Sequence, residues 1–298
     1  MARLQVVEWN AWQRFLITHI VPDAERVTVT PGSGLLPVTR RPAPALVHVN
    51  LSRPHEVFPD YDGWLAAYEE IGLPVLNGYV FSIDKWAVQH ACAAAGLPEV
   101  RASRAGDPDE MLIIKSRANH RGLYEQELPA GMVGDMSPPE WPYPERVHRL
   151  ARRDVADAIW SDRRIAIERY VSNADGRFQR AYVVGDYVAV ATSFSPALVK
   201  EMDHRKGVEL VSTSAASARP LDPRDPLSSA FRLAQAMRAD FAALDLALDD
   251  DGIVHPIDLN TTPTWGRYAE LNPRLIGELI DAFRPLTEQG SLYAPVRA

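Results

Sequence analysis

Two short apolar runs, residues 246–248 and 253–259, flank the acidic stretch Asp249-Asp250-Asp251-Gly252. Neither run is long enough for a helix, and an Asp-Gly step between two strand-like segments is a strong hairpin signal. The chain is therefore predicted to fold back on itself here. Asp258 and Asn260 lie two apart on the returning strand, so their side chains leave the same face of a sheet. Asp245 sits where a helical pattern gives way to the first strand, and the hairpin returns the second strand beside it. Three oxygen donors then meet at one end of a cleft. Hard cations such as Mg²⁺ or Mn²⁺ take such ligands and complete their shell with water and phosphate. An isolated Asp-x-Asn can equally well end a strand and open a turn, as Thr261-Thr262-Pro263 would allow.

The rest of the chain alternates between short strand and helix patterns. Residues 26–30 and 46–51 read as strands, separated by a loop rich in proline and glycine over 31–44. Trp64, Leu65, Tyr68 and Ile71 at helical spacing predict a helix over 62–71, stopped by Gly72. A second helix is expected over 83–95, capped by Ser82. Residues 110–115 form an apolar strand ending in Lys115, and the proline-dense stretch 129–144 is an irregular connection. Val147, Leu150, Ala151, Val155, Ala158 and Ile159 mark one face of a third helix. Strands follow over 164–171 and 178–191, with Asn173-Ala174-Asp175-Gly176 as a hairpin turn between them and Gly185-Asp186 as a second turn. Residues 192–224 show little periodicity and read as a loop. Asp225-Pro226 opens a helix with an apolar stripe running from Leu227 to Leu244, and Asn272-Pro273 opens the last one. Strands grouped apart from helices imply an α+β fold.

Composition narrows the function. Thirty-two basic against 39 acidic residues leave a net charge of −7, which argues against a general nucleic-acid or anionic-membrane binder. No run approaches the ~18 apolar residues of a membrane-spanning helix. The N-terminus lacks the apolar core of a signal peptide, so a cytoplasmic location is expected. A lone Cys92 in an alanine-rich stretch excludes an intramolecular disulfide and reads as a packed thiol.

The segment from Asp245 to Pro263 resembles the signature of ATP-grasp ligases, in particular members similar to D-alanine–D-alanine ligase. In that family an Asp is followed thirteen residues later by an acidic residue, then by Asn two further on and a turn of two small residues and Pro. The spacing from Asp245 to Asp258 and Asn260 is the same, with Asp258 where Glu is usual. The resemblance makes these three residues the ligands of two metals that bridge the ATP phosphates. It makes Lys85, opening a helix after Asp84, and Lys115 the lysines that reach the phosphates. Glu168-Arg169-Tyr170-Val171 resembles the strand between lobes that binds adenine and nucleotide, and Arg180 the basic residue that neutralises phosphate, although a strand-edge ion pair explains Arg180 equally well.

The implied architecture is a small N-terminal α/β unit over 1–75, a central lid over 76–167 and a C-terminal lobe over 168–298, with ATP between the last two. The implied chemistry is ligation of a small-molecule carboxylate to an amine or thiol through an acyl phosphate, with Arg180 and Lys115 as catalytic charges. A small-molecule kinase on the same scaffold and a non-catalytic nucleotide-binding protein are the rival expectations, and a homodimer is the default assembly. The sequence departs from the family twice. The glycine-rich loop expected after Lys115 is replaced by 116–124, with one glycine and with Arg117 and Arg121 as candidate substitutes. The substrate-holding Arg expected two residues before Asp245 is Ala243, which argues against D-alanine. Lys200, Arg205 and Lys206 are further phosphate candidates. His120 and His204 are candidate general bases, His255 reads as a strand-surface residue, and Trp265, Gly266 and Arg267 lie where the family receives its acceptor.

Overall fold

The computed structural model describes residues 4–9, 16–32, 43–129, 131–132, 134–136, 147–194, 206–263 and 273–289. Its strands are β1 (Gln5–Glu8), β2 (Glu25–Thr28), β3 (Ala45–Val47), β4 (Val75–Leu76), β5 (Met111–Ser116), β6 (Val147–Ala151), β7 (Ile165–Arg169), β8 (Arg177–Val184), β9 (Tyr187–Phe194), β10 (Lys206–Thr213), β11 (Phe241–Leu248) and β12 (Val254–Asn260). The α-helices are α1 (Ile17–Ile20), α2 (Pro54–Val57), α3 (Tyr61–Glu70), α4 (Lys85–Ala94), α5 (Asp157–Ser161), α6 (Pro226–Ala236) and α7 (Pro273–Gln289).

The described residues form three sheets: a parallel one ordered β2-β1-β3-β4, an antiparallel one ordered β6-β5-β7 and a larger antiparallel one ordered β10-β9-β8-β11-β12. Side chains alternate across the large sheet and feed two separate cores. Ala181, Val183, Leu244 and Leu246 pack under α4 and α6. Tyr182, Val184, Phe241 and Ala243 pack under α7 through Leu275, Leu279 and Phe283, together with Val6 and Leu46 of the parallel sheet. Buried Asn77, held at φ +56°, stitches the two sheets together: its Oδ1 accepts from the Asp240 and Phe241 amides at 2.9 and 3.0 Å, and its Nδ2 donates to the Phe241 carbonyl at 2.8 Å. The small antiparallel sheet has its own core of Leu112, Ile114, Val155, Ile159, Ile165 and Ile167.

The hairpin predicted at 249–252 is present, with Gly252 at φ +79°, a conformation that suits glycine. Several other expectations are corrected. The helix expected from Val147 is instead β6, a short 3₁₀ turn over Arg152–Asp154 and the single-turn α5, because pairing with β5 claims the backbone of 147–151. The segment 192–224 holds β10, whose partner is β9. The helix at 226 ends at Ala236, and Arg238 at φ +58° lies just beyond it, so Phe241, Leu244 and Asp245 belong to β11. Asn173–Gly176 forms a turn, with the Gly176 amide on the Asn173 carbonyl at 3.1 Å, but joins no hairpin: β7 and β8 lie in different sheets, and 170–176 crosses between them. The cap of α4 is Asp84 rather than Ser82, its Oδ1 accepting from the Trp86 and Ala87 amides at 2.9 and 3.0 Å. Cys92 is buried, and desolvation pushes its thiol up to about 12, as expected of an inert core residue.

Candidate functional site

Strand register assembles the centre of the site. Asp245 on β11 pairs with Arg180 on β8 at one side and with Asp258 on β12 at the other, and Ala243 pairs with Asn260. Between the pairs Asp245–Asp258 and Leu246–Pro256 the register slips by one residue, leaving Ile257 as a bulge. Pro256 has no amide to give to a ladder and is tolerated because β12 is an edge strand. The bulge carbonyl of Ile257 accepts from Lys115 Nζ at 3.3 Å, so a lysine of the small sheet reaches across to β12.

Two carboxylates side by side on neighbouring strands repel one another. The structure meets that cost with one cation on each. Arg180 Nη1 lies 3.0 Å from Asp245 Oδ1, and Lys85 Nζ, at the first position of α4, lies 2.5 Å from Asp258 Oδ1. Burial works against the Arg180 charge, yet the Asp245 carboxylate and then Tyr182 and Asp258 hold its pKa above the usual range. Both proposed roles of Arg180, phosphate neutralisation and a cross-strand ion pair, therefore start from the same atom. Asn260 Oδ1 accepts from the Thr262 amide at 2.8 Å, and Thr262 Oγ1 lies 3.0 Å from both Asn260 Oδ1 and Asn50 Oδ1. Asn50 follows β3, so the end of the parallel sheet meets the Asp-x-Asn turn.

On the small sheet, Lys115 Nζ lies 2.7 Å from Glu168 Oε2, and both side chains are largely buried. Glu168 Oε1 has no hydrogen-bond partner among the described residues. A buried carboxylate oxygen left open beside a lysine suits a hydroxyl donor from a ligand. Arg169 and Tyr170 sit differently. Their amides donate to the Val100 and Met111 carbonyls at 2.6 and 2.9 Å, the Arg169 guanidinium donates to the Glu99 carbonyl, and the Tyr170 ring lies 5.1 Å from the Arg149 guanidinium. A base reaching this strand must use other groups, and the backbone of Val171 follows directly.

The structure thus brings together Lys85, Lys115, Glu168, Arg180, Asp245 and Asp258, with Asn260 one step along the strand. Among the described residues no three His, Cys, Asp or Glu side chains form a ready-made metal cage. The donors present, two carboxylates and an amide oxygen, suit a hard divalent cation that keeps waters and shares phosphate oxygens. Lys200, Arg205, His204, Trp265, Gly266 and Arg267 lie outside the described residues, and for Lys206 only the backbone, in β10, is described. Ala243 is buried beneath α7, on the same face of β11 as Asp245 and opposite Asn260.

The segment after Lys115 departs from the expectation that its arginines replace glycine amides. Arg117 is engaged elsewhere: Nη2 lies 3.0 Å from Asp84 Oδ2, Nη1 lies 2.6 Å from Asp135 Oδ2, and the guanidinium sits 4.1 Å from the centre of the Trp86 ring. Arg53 grips the same two carboxylates, Asp84 at 3.0 Å and Asp135 at 3.1 Å. Burial opposes the Asp84 charge, but Arg117, the helix amides and Arg53 hold its pKa below the usual carboxylate value. Next along, Glu125 Oε1 accepts from the Ser52 amide and hydroxyl at 2.7 and 2.6 Å, while Ser52 Oγ accepts from the Asn119 amide at 2.8 Å. His120 and Arg121 adopt φ +44° and +65°, uncommon for residues with a Cβ, and the His120 ring stacks on Tyr124. His255 pairs with Asp249 at 2.8 Å on the hairpin. Sequence reasoning missed Arg53, Asp135, Glu125 and Gln89. Only the cap at Asp84, an acidic residue just before a helical pattern, carried a local signal.

Comparison with solved structures now decides the fold. The ATP-grasp ligase PsnB, solved with a phosphomimetic variant of a minimal precursor, Mg and ADP, superposes with a TM-score of 0.55 at 14% identity, covering 96% of this chain and 99% of its own. This chain has the ATP-grasp fold. A Chryseobacterium gregarium RiPP-associated ATP-grasp ligase, in complex with ADP and a leader and core peptide, gives a TM-score of 0.55 at 12% identity over 99% of this chain and 98% of its own. D-alanyl-alanine synthetase A from Vibrio cholerae gives 0.53 at 10% identity over 97% and 100%. No family model matches this chain, and no curated protein does. Among its described residues no helix is long and apolar enough to cross a membrane.

Proposed function

We propose that this chain is an ATP-dependent, ADP-forming ligase that joins a carboxylate to an amine or thiol through an acyl phosphate. The observation that carries this is the charged row Arg180, Asp245, Asp258 and Lys85, set by strand register, which Lys115, paired with Glu168, joins through the Ile257 carbonyl. Asp245, Asp258 and Asn260 would hold Mg²⁺ or Mn²⁺, which supplies charge at the β- and γ-phosphates. Lys85, Lys115 and Arg180 would bind phosphate oxygens, Glu168 a nucleotide hydroxyl, and the strand 169–171 the base. No protein nucleophile is required, because positioning and charge stabilisation carry such a transfer.

The three units are proposed as 1–75, 76–167 and 168–298, with the crossing to the large sheet just after β7. A cytoplasmic location and a homodimeric assembly complete the proposal. PsnB has been solved with a precursor peptide and the Chryseobacterium enzyme with a leader and core peptide, so peptide carboxylates belong beside small molecules among the candidate substrates. One observation favours a nucleotide binder without turnover instead: Arg117 is committed to Asp84 and Asp135 and is not available to a phosphate.

A thermal-shift titration with ATP, ADP and GTP, each with Mg²⁺ or with EDTA, tests the site in the wild type and in Asp258→Ala. A rise in Tm that needs both ATP and metal, and is lost in the variant, is expected. The absence of any shift at millimolar nucleotide would defeat the proposal. ADP release that appears only with both a carboxylate and an amine then separates ligase from binder, and a stable phosphorylated product would point to a kinase.

A further inference from the structure

We infer that Glu125 and the small cavity beside it form a site for a primary ammonium group, either the free ammonium ion or the head of an alkylamine. None of the residues that line the cavity belongs to the Asp245–Asp258 row. On the ligase reading above, the group held here is that of the amine substrate, and that clause alone rests on that reading.

Glu125 opens the 3₁₀ turn Glu125–Glu127 and is only 3% exposed. Its Oε1 is fixed by two donors, the Ser52 amide at 2.7 Å and the Ser52 hydroxyl at 2.6 Å. The carboxylate is therefore not at liberty to turn. Its Oε2 is shielded from water and has no hydrogen-bond partner among the described residues. A buried carboxylate oxygen in that state costs stability until a donor reaches it. Glu125 lines a cavity of about 10 Å³, walled by Leu51 and Val57 at α2 and by Leu128, Met132 and Met136 on the segment after β5. That is roughly the space of one water-sized group.

Charge and size together select the guest. Arg53 and Glu56 also line the cavity. The guanidinium groups of Arg53 and Arg117 already face three carboxylates, those of Asp84, Asp135 and Glu56. Lys85, whose charge reaches Glu125, is taken by Asp258 at 2.5 Å. The Glu125 charge is thus left for a guest to balance. A water fills the space but leaves the charge as it was. A hard divalent metal asks for about six oxygen ligands, and the cavity offers one carboxylate among apolar walls. A primary ammonium group is water-sized, carries the opposite charge and donates directly to Oε2. Methionine side chains bend easily, so a short alkyl tail can lie between Met132 and Met136. A quaternary ammonium has no N–H to give and is too large.

Thermal unfolding without nucleotide, in chloride salts at one ionic strength, tests the site. The probes are ammonium, n-butylammonium, tetramethylammonium and potassium. Ammonium or n-butylammonium, at about tenfold excess over its Kd, is expected to raise the wild-type Tm at least about 2 °C above the potassium value. Tetramethylammonium is expected to match potassium. The larger rise with ammonium assigns the site to the free ion, and the larger rise with n-butylammonium assigns it to the head of a longer amine. Glu125→Gln keeps an oxygen for Ser52 but loses the charge, and it is expected to abolish the rise. Leu128→Phe, which fills the cavity, is expected to do the same, and circular dichroism checks that each variant is folded. A rise of equal size with potassium overturns the inference. So does a rise that survives in either folded variant, or the absence of any rise with both amines. The nucleotide site is untouched by these outcomes, because its own titration contains no amine.

Discussion

The hairpin β11–β12 and the described residues of 116–136 both bring charged groups to the start of α4, and they do so by different physics. In the hairpin, position follows from backbone register. Asp245 stands between Arg180 and Asp258 because three strands pair there, and side-chain chemistry needs only to tolerate the result. In the segment after β5 no ladder does this work. Its conformation is tied down by Arg53, Asp84, Arg117 and Asp135 at one end and by Ser52, Asn119 and Glu125 at the other. A register-built site is robust to single side-chain changes outside its donors. A site built from a side-chain network depends on each member.

The largest test of that contrast is Asp84→Ala. Asp84 caps α4 and is the common partner of two guanidinium groups. Its loss removes the cap and leaves two shielded cations short of a partner, for an expected destabilisation of about 4 kcal/mol. Asp84→Asn, which keeps a capping oxygen, should cost clearly less. Urea unfolding measures both, and an Asp84→Ala midpoint matching the wild type would show that the network carries no weight.

The same contrast explains how much could be read from the sequence. The hairpin was legible because an Asp-Gly turn between two short apolar runs leaves one way to fold, and the period of two then fixes which residues share a face. The pairing of Asp245 with Asp258 was not legible: regular register from Leu248–Val254 sets Asp245 opposite Ile257, and only the bulge there brings Asp258 to it. Residues 147–159 misled because Val147, Leu150, Ala151 and Val155 satisfy helical spacing, while the deciding fact, that β5 offers an open edge, lies more than thirty residues away. β10 was hidden for the same reason: it exists by pairing with β9. The side-chain network had no signature, since Arg53, Glu125 and Asp135 are ordinary charged residues until folding brings them to Asp84 and Ser52. Nothing local marks Arg117 as engaged, because its two carboxylate partners, Asp84 and Asp135, are not near it in sequence.

Gln89→Leu probes the register-built half at a place where it leans on a side chain. Buried Gln89 donates through Nε2 to the Pro256 carbonyl at 3.0 Å and accepts from the Val100 amide at 2.7 Å, so it holds β12 where the bulge resets the pairing of Asp258. Orphaning those two backbone groups is expected to cost about 2 kcal/mol. It should also weaken the metal-dependent response to nucleotide, because Asp258 follows the bulge by one residue. A variant that loses stability but keeps full nucleotide response would mean that the ladder alone positions Asp258.

The smallest effect belongs to Glu125→Gln, and its sign with pH is what matters. Burial raises the Glu125 pKa above the usual carboxylate value, opposed by its hydrogen bonds to Ser52 and by Lys85. A carboxyl whose folded pKa is raised contributes most to stability at acid pH, where it is protonated in both states, and loses that contribution as pH climbs through the folded value. The amide that replaces it in the variant stays neutral throughout and can keep an oxygen on Ser52. Wild type and Glu125→Gln should therefore be closest in stability at acid pH, with the variant gaining on the wild type as pH rises toward neutrality. Paired urea midpoints across that range measure the gap. If the wild type gained on the variant instead, the Lys85 charge would outweigh burial, and Glu125 would have to be counted with Asp258 as a second resting partner for that lysine.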